Sequence, residues 1–261
     1  MSTRPYAVIT GASSGIGLEY AKIFARLGYN LCLIARREDR LRELADKMEG
    51  CYGIDCKVIS ADLSTSKGVE EVCKKVRHLK VEFFLNNAGF GDCGAFSETS
   101  NSKEQSMINT NVKAVQALMK FMIKYYKHHK IDGYILNTAS SAGLLAAGPY
   151  MATYYATKAY VTSLTVAVAE ELRQEGSGIY VGCLCPGPVN TEFNDVANVE
   201  FALKGISARD CARAAVRGMF LRKTIIVPEK YLRFVLAGAK VLPRTFASRL
   251  TAHQQKKKLG K

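Results

Sequence analysis

The 261-residue sequence predicts an α/β protein: a parallel sheet with helices on both faces. Three observations lead there. Short apolar runs alternate with longer segments of helical periodicity. A glycine-rich turn joins the first run to the first helix. Small polar residues (Thr10, Asp62, Asn87, Ser140) recur just where apolar runs end. In an open α/β sheet, those carboxyl ends of strands are where ligands bind.

The elements follow in order. Tyr6 to Thr10 reads as a buried strand. It enters Gly11-Ala-Ser-Ser-Gly15-Ile-Gly17 and a helix from Ile16 to Leu27, closed by Gly28. Strand, glycine turn and helix bring backbone N–H groups close to a pyrophosphate. The second strand, Asn30 to Ala35, ends in Arg36-Arg37, and no carboxylate precedes Glu38. An acid in this slot holds ribose hydroxyls, whereas arginine suits a 2′-phosphate; Arg36 fills the slot with Arg37 beside it, which argues for NADP(H). A charged helix is expected from Arg37 to Met48 and a third strand from Lys57 to Leu63. Asp62 at that exit either reaches an adenine edge or caps the helix expected over Ser64 to Leu79. The fourth strand, Val81 to Leu85, opens into Asn86-Asn87-Ala88-Gly89, small enough for a ring to approach.

Asn101 to Lys130 has helical spacing at Met107, Val112, Val115, Leu118, Met119 and Met122. Asn109 and Asn111 interrupt it; an asparagine there kinks the helix, binds water or sits exposed. Tyr134 to Ala139 is the fifth strand and runs into Ser140-Ser141-Ala-Gly143. After the loop Leu144 to Pro149 comes a helix with Tyr154 and Lys158 one turn apart on one face. An ammonium beside a phenol favours the phenolate, which makes Tyr154 a candidate acid/base. The same spacing recurs at Tyr126 and Lys130, expected to be a solvated helix face. Tyr155 lacks a lysine four residues on. The sixth strand, Gly178 to Cys185, leads into Pro186-Gly187-Pro188-Val189-Asn190-Thr191; a helix over Ser207 to Arg222 and a seventh strand over Thr224 to Val227 close the sheet.

Taken together, Thr10 to Gly17, Asn86 to Gly89, Asn111, Ser140, Tyr154-x-x-x-Lys158 and Pro186-Gly187 with Thr191 resemble the short-chain dehydrogenase/reductase family in order and spacing, over about residues 5 to 228. The resemblance implies a single Rossmann domain, a doubly wound seven-stranded parallel sheet, within residues 1–228, often assembled as a dimer or tetramer. It implies that Tyr154 is the general acid or base, that Lys158 lowers its pKa and binds the nicotinamide ribose, that Ser140 binds the substrate oxygen and that Asn111 holds a relay water. Gly11, Ser13, Ser14, Gly15, Ile16 and Gly17 would line the pyrophosphate, and Asp62 and Leu63 the adenine. Asn87, Ala88 and Gly89 would line the ribose, with Pro186, Gly187, Val189 and Thr191 towards the carboxamide. One spacing departs from the family. The gap from Ser140 to Tyr154 is one residue long; Ser141 would restore it, but Ser140 keeps the family distance to Gly143. Ser140 is chosen, with the extra residue placed in the loop Leu144 to Pro149.

Composition narrows the function classes. The hydrophobic fraction of 48% suffices for a sizeable core. The net charge of +14 suits a polyanionic ligand or an anionic surface, but the cations are not interleaved with aromatics, against nucleic-acid binding. Eight cysteines and four histidines lack metal-ligand spacing, so no metal site is expected. With no recognisable signal peptide or spanning stretch, a reducing, cytoplasmic setting is expected. The loops Phe90 to Phe96, Leu144 to Met151 and Asn190 to Leu203 are apolar or small, with Asp92, Glu192, Asp195 and Glu200 as their acids. They suit an uncharged or weakly charged apolar ketone, aldehyde or alcohol such as a steroid or fatty-chain carbonyl. Residues 229–261 form an extension with helical spacing broken at Pro243, ending in a basic tail. It packs on the domain, forms a subunit contact or lies on a membrane surface.

Overall fold

The computed structural model describes residues 4–197, 205–239 and 242–258. Seven parallel strands form one sheet: β1 (Tyr6–Thr10), β2 (Asn30–Ala35), β3 (Cys56–Ser60), β4 (Val81–Asn86), β5 (Tyr134–Thr138), β6 (Tyr180–Leu184) and β9 (Ile225–Ile226). Their order is β3-β2-β1-β4-β5-β6-β9. The chain winds outward from β1 one way, then returns to start β4 on the other side. That reversal leaves a crevice beyond the carboxyl ends of β1 and β4. A second, two-stranded sheet pairs β7 (Val189–Asn190) with β8 (Ile206–Ser207), which apolar periodicity did not anticipate.

The strands are short and apolar because both faces are covered. All of β1, β2 and β6 is buried. On one face, Tyr20 and Phe24 of α1 (Gly15–Arg26), Leu41 of α2 (Glu38–Tyr52) and Met219 of α8 (Ala208–Phe220) pack against Ile9, Leu33 and Phe83. On the other, α3 (Ser66–Val76), α5 (Val115–His129) and α6 (Ala152–Gln174) bring Val72, Leu118 and Leu172 against Val8, Ile34 and Phe84. Each such fully buried side chain contributes about 1.5–3 kcal/mol of transfer free energy.

Two expectations change here. The long helix expected over Asn101 to Lys130 is α4 (Asn101–Ile108), a π-helical turn (Asn109–Ala114) and α5. The wider π turn points Asn111 inward, fully buried, which excludes the exposed reading. The Tyr126–Lys130 pair is not a solvated face. Tyr126 is completely buried in the core and donates from Oη to the Glu82 carbonyl at 3.1 Å. Its apolar ring won over the charged residues around it, and only Lys130 remains in water.

The extension forms α9 (Lys230–Ala239) and α10 (Arg244–Lys258), separated around Pro243, which cannot continue a helix. It is tied to the sheet domain. Glu229, largely buried, accepts from the Gly187 N–H at 3.1 Å, and Gln255 Nε2 donates to Tyr155 Oη at 2.6 Å. Glu200 lies outside the described residues, as does part of the loop Asn190 to Leu203.

Candidate active site

Thr10 anchors the crevice. Its side-chain oxygen accepts from the backbone N–H of Asn87 (2.8 Å) and Ala88 (2.9 Å). Asn87 Nδ2 donates back to the Thr10 carbonyl at 3.1 Å, and Thr138 Oγ1 donates to Asn87 Oδ1 at 3.2 Å. Hydrogen bonds therefore stitch the ends of β1, β4 and β5 into one rim. The glycine turn lies against it. Gly11 and Gly15 have φ of +67° and +54°, a region costly for other residues. A Cβ on Gly17 would sit 2.2 Å from the Gly11 carbonyl oxygen. Ser14 caps α1 without a side-chain hydrogen bond, so the first-turn N–H groups face outward for an anion.

Arg37, the first residue before α2, reaches into this turn. Its Nε and Nη2 donate to Ser13 Oγ at 3.3 and 3.1 Å. Its Nη1 pairs with Glu192 at 2.8 Å, and Arg40, one turn further on, pairs with the same carboxylate at 2.7 Å. The two arginines hold the Glu192 carboxyl below its usual range. Arg36 is exposed, so Arg37 rather than Arg36 touches the glycine turn. Asp62 is exposed and accepts from the Ser64 N–H at 2.9 Å, while Thr65 caps α3; Leu63 beside it is buried.

The second half brings Ser140, Tyr154 and Lys158 together. Ser140 closes β5, and its Oγ accepts from the Ala142 N–H at 3.1 Å, opening a 3-10 turn (Ser141–Leu144). That turn presses on α6 so closely that a Cβ on Gly143 would lie 2.4 Å from the Lys158 carbonyl oxygen. Ser140 is the serine whose hydroxyl acts on the Tyr154 phenol, lowering its pKa against the effect of burial. The rival Tyr155 is occupied elsewhere: Gly148 lies on its ring and Gln255 on its hydroxyl. Asn111 Nδ2 donates to the Phe90 carbonyl (2.8 Å) and Thr157 Oγ1 (3.1 Å), and its Oδ1 accepts from the Phe90 N–H (3.1 Å). A Cβ on Gly89 would lie 2.9 Å from Asn111 Oδ1 and 3.3 Å from Lys158 Nζ, so the glycine lets these groups meet.

Electrostatics depart from the expectation for Lys158. Its Nζ donates to the Thr138 carbonyl at 2.8 Å and lies 5.8 Å from the Tyr154 ring centroid. Burial pushes the Tyr154 phenol up to about 12, opposed by the Ser140 hydroxyl rather than by the lysine charge. Burial pushes the Lys158 ammonium down to about 8. Both groups lose water, and the lysine proton is turned towards a carbonyl rather than the phenol. Tyr154 sits in an apolar cluster with Cys93, Met107, Met151 and Ala197, and Phe90 and Phe193 pack against it. Two of the loop acids are paired with cations, Asp92 with Lys103 at 2.7 Å and Glu192 with the arginines.

Thr191 and Gly187 close the rim from β6 and β7. A Cβ on Gly15 would lie 3.1 Å from Thr191 Cγ2, which brings the late Pro186–Thr191 stretch onto the glycine turn. Val189 is buried behind it, and the Pro186 carbonyl accepts from the Ser141 N–H at 2.8 Å. Arg40, Glu192 and Glu229 were missed as site residues. Arg40 was findable as the residue one helical turn past Arg37; the other two pair across long stretches of sequence and left no local signal.

A family model described as short chain dehydrogenase matches residues 5–200. The chain belongs to the short-chain dehydrogenase family. Within that family it is 30% identical over 254 residues to an 11-beta-hydroxysteroid dehydrogenase-like 4A of Arabidopsis thaliana, covering 93% of this chain and 82% of that one. It is 34% identical over 181 residues to a very-long-chain 3-oxoacyl-CoA reductase of Scheffersomyces stipitis; that match covers 66% of this chain and only 52% of the reductase's length. Among solved structures, a short-chain dehydrogenase from Sphingobium yanoikuyae in complex with NADPH superposes with a TM-score of 0.82 at 30% identity, covering 90% of this chain and 93% of that one. Another from Burkholderia phymatum, in complex with NAD, superposes with a TM-score of 0.81 at 26% identity over 90% of this chain and 92% of that one. Short-chain dehydrogenases of this fold thus bind nicotinamide dinucleotides of either kind. The glycine cradle, the outward N–H groups of α1 and the guanidinium at Ser13 fit such a cofactor.

Proposed function

We propose that the protein is an NADP(H)-dependent oxidoreductase that interconverts an apolar ketone or aldehyde and the corresponding alcohol. The observation that carries this reading is the buried Tyr154 side chain, one helical turn from Lys158 and inside an apolar cluster, with Ser140 acting on its phenol. Bound nicotinamide would supply or accept the hydride. The chain's own residues do the rest. Tyr154 gives a proton to the carbonyl oxygen in reduction and takes it in oxidation. Ser140 donates a hydrogen bond as charge grows on that oxygen. Lys158 and Asn111 lie behind the tyrosine, where a ribose hydroxyl and a water would complete the path for its proton.

Arg37 and Arg40 form a seat for a 2′-phosphate, with Glu192 filling it as an anion. That supports NADP(H) over NAD(H). The apolar cluster and the paired acids support an uncharged substrate. The hydroxysteroid dehydrogenase-like relative adds steroids to the candidates, and the 3-oxoacyl reductase adds long acyl chains. A homodimer or tetramer is the proposed assembly. The intact tyrosine, serine and lysine set argues against a silent scaffold.

The test is turnover of a panel with NADPH: a steroid ketone, a long-chain 3-oxoacyl thioester and a short anionic ketone. Tyr154→Phe should lower turnover about 10²–10⁴-fold while leaving cofactor binding in place. Saturating turnover of the anionic ketone alone would sink the substrate reading, and unchanged turnover in Tyr154→Phe would sink the chemistry.

A further inference from the structure

Beyond Glu229 the sequence changes character. Residues 230–261 carry nine Lys or Arg and no Asp or Glu. The inner faces of the two helices are used: Leu236, Ala247, Thr251 and Gln255 are buried against the domain. The outer faces are apolar as well. Tyr231, Phe234 and Val235 fall on one side of α9 at i, i+3 and i+4, and are 51%, 79% and 56% exposed. Phe246 and Leu250, at i and i+4 on α10, are half exposed. Single exposed apolar side chains are ordinary; five within one basic, acid-free segment are not.

We propose that the outer faces of α9 and α10 form a peripheral docking surface for an anionic phospholipid bilayer. Aromatic and aliphatic side chains enter the headgroup boundary, and Arg244, Arg249 and Lys230 meet the phosphates around them. Charge selects this occupant. A second copy would oppose the same cations to themselves, at a Coulombic penalty. A nucleic acid would leave Phe234 and Phe246 without an apolar partner. No helix of the described residues is long and apolar enough to cross a membrane, so the contact lies in the interface. The inner face of α10 meets the apolar cluster through Tyr155, and Lys256 lies over the Tyr150 ring at 5.9 Å. Docking therefore sets that cluster beside the lipid.

The test uses the full chain and is read without turnover, so it stands apart from the substrate reading. The protein is sedimented with vesicles of phosphatidylcholine alone and of phosphatidylcholine with phosphatidylglycerol in equal parts. Binding should favour the anionic vesicles and weaken at high salt. Phe234→Ser with Phe246→Ser, and separately Arg244→Glu with Arg249→Glu, should each weaken it by about tenfold or more with unchanged circular dichroism. If a pair unfolds, the single Phe234→Ser and Arg249→Glu proteins carry the same expectation. Equal binding to both vesicles, binding unmoved by the substitutions, tighter binding to duplex DNA, or self-association lost in the Phe variants would each overturn the proposal.

Discussion

Lys158 shows at the scale of one residue how function and stability pull apart. Its ammonium is buried, and its pKa falls to about 8 from an ordinary 10.5. A folded-state pKa below the unfolded one means that the protonated form opposes folding. The stability tied to this group is fully present above about pH 10.5 and is lost as pH falls through about 8. Replacing it with an apolar residue of similar length removes the penalty. Lys158→Met should be more stable than the native protein at pH 7, by on the order of 3 kcal/mol, and so melt at a higher temperature. The gap should close by pH 10.5, read by thermal melts across pH. Turnover should be lost at every pH. A variant less stable than native at pH 7 would show that the Thr138 hydrogen bond outweighs the burial of charge.

Elements explain what a linear reading reached and what it missed. Most strands were legible as short apolar runs, and the polar residues Thr10 and Asn87 at two of their ends do meet on one rim with Thr138. The glycine turn was legible because its spacing follows from steric contact. The π turn was not: it needs one extra residue per turn inside a segment whose apolar positions still fit an ordinary helix. Its consequence is concrete, because the buried Asn111 side chain pins Phe90 from both its carbonyl and its N–H. Arg40 and Glu192 escaped because their pairing depends on where a loop 152 residues later returns. Packing between elements yields its own prediction. Gly17→Ala would force α1 away from the Gly11 carbonyl, 2.2 Å from the added carbon. The loss expected is about 1–3 kcal/mol of stability, seen in denaturant melts, together with weaker dinucleotide binding. An unaffected affinity would mean that the turn is not the pyrophosphate seat.

At the scale of the molecule, two regions of positive charge have different surroundings. The arginines beside the glycine turn lie at the crevice beyond β1 and β4, next to a helix N-terminus, an arrangement that recognises a bound phosphate. The cations of α9 and α10 flank exposed apolar side chains on an outer surface. The net charge of +14 pointed to anionic ligands without separating these two. The fold does, since one region opens onto the strand ends and the other turns away from the sheet.

Cofactor choice is the most direct measurement, by fluorescence titration of NADPH and NADH into the native protein and into Arg37→Asp. One charge-assisted phosphate contact is worth about 1.5–3 kcal/mol, so NADPH should bind roughly 10–100-fold more tightly than NADH. Arg37→Asp should erase that difference while leaving NADH affinity within a few fold. Equal binding of the two by the native protein, or a preference that survives the substitution, would contradict the 2′-phosphate seat; binding of neither would contradict the oxidoreductase reading itself.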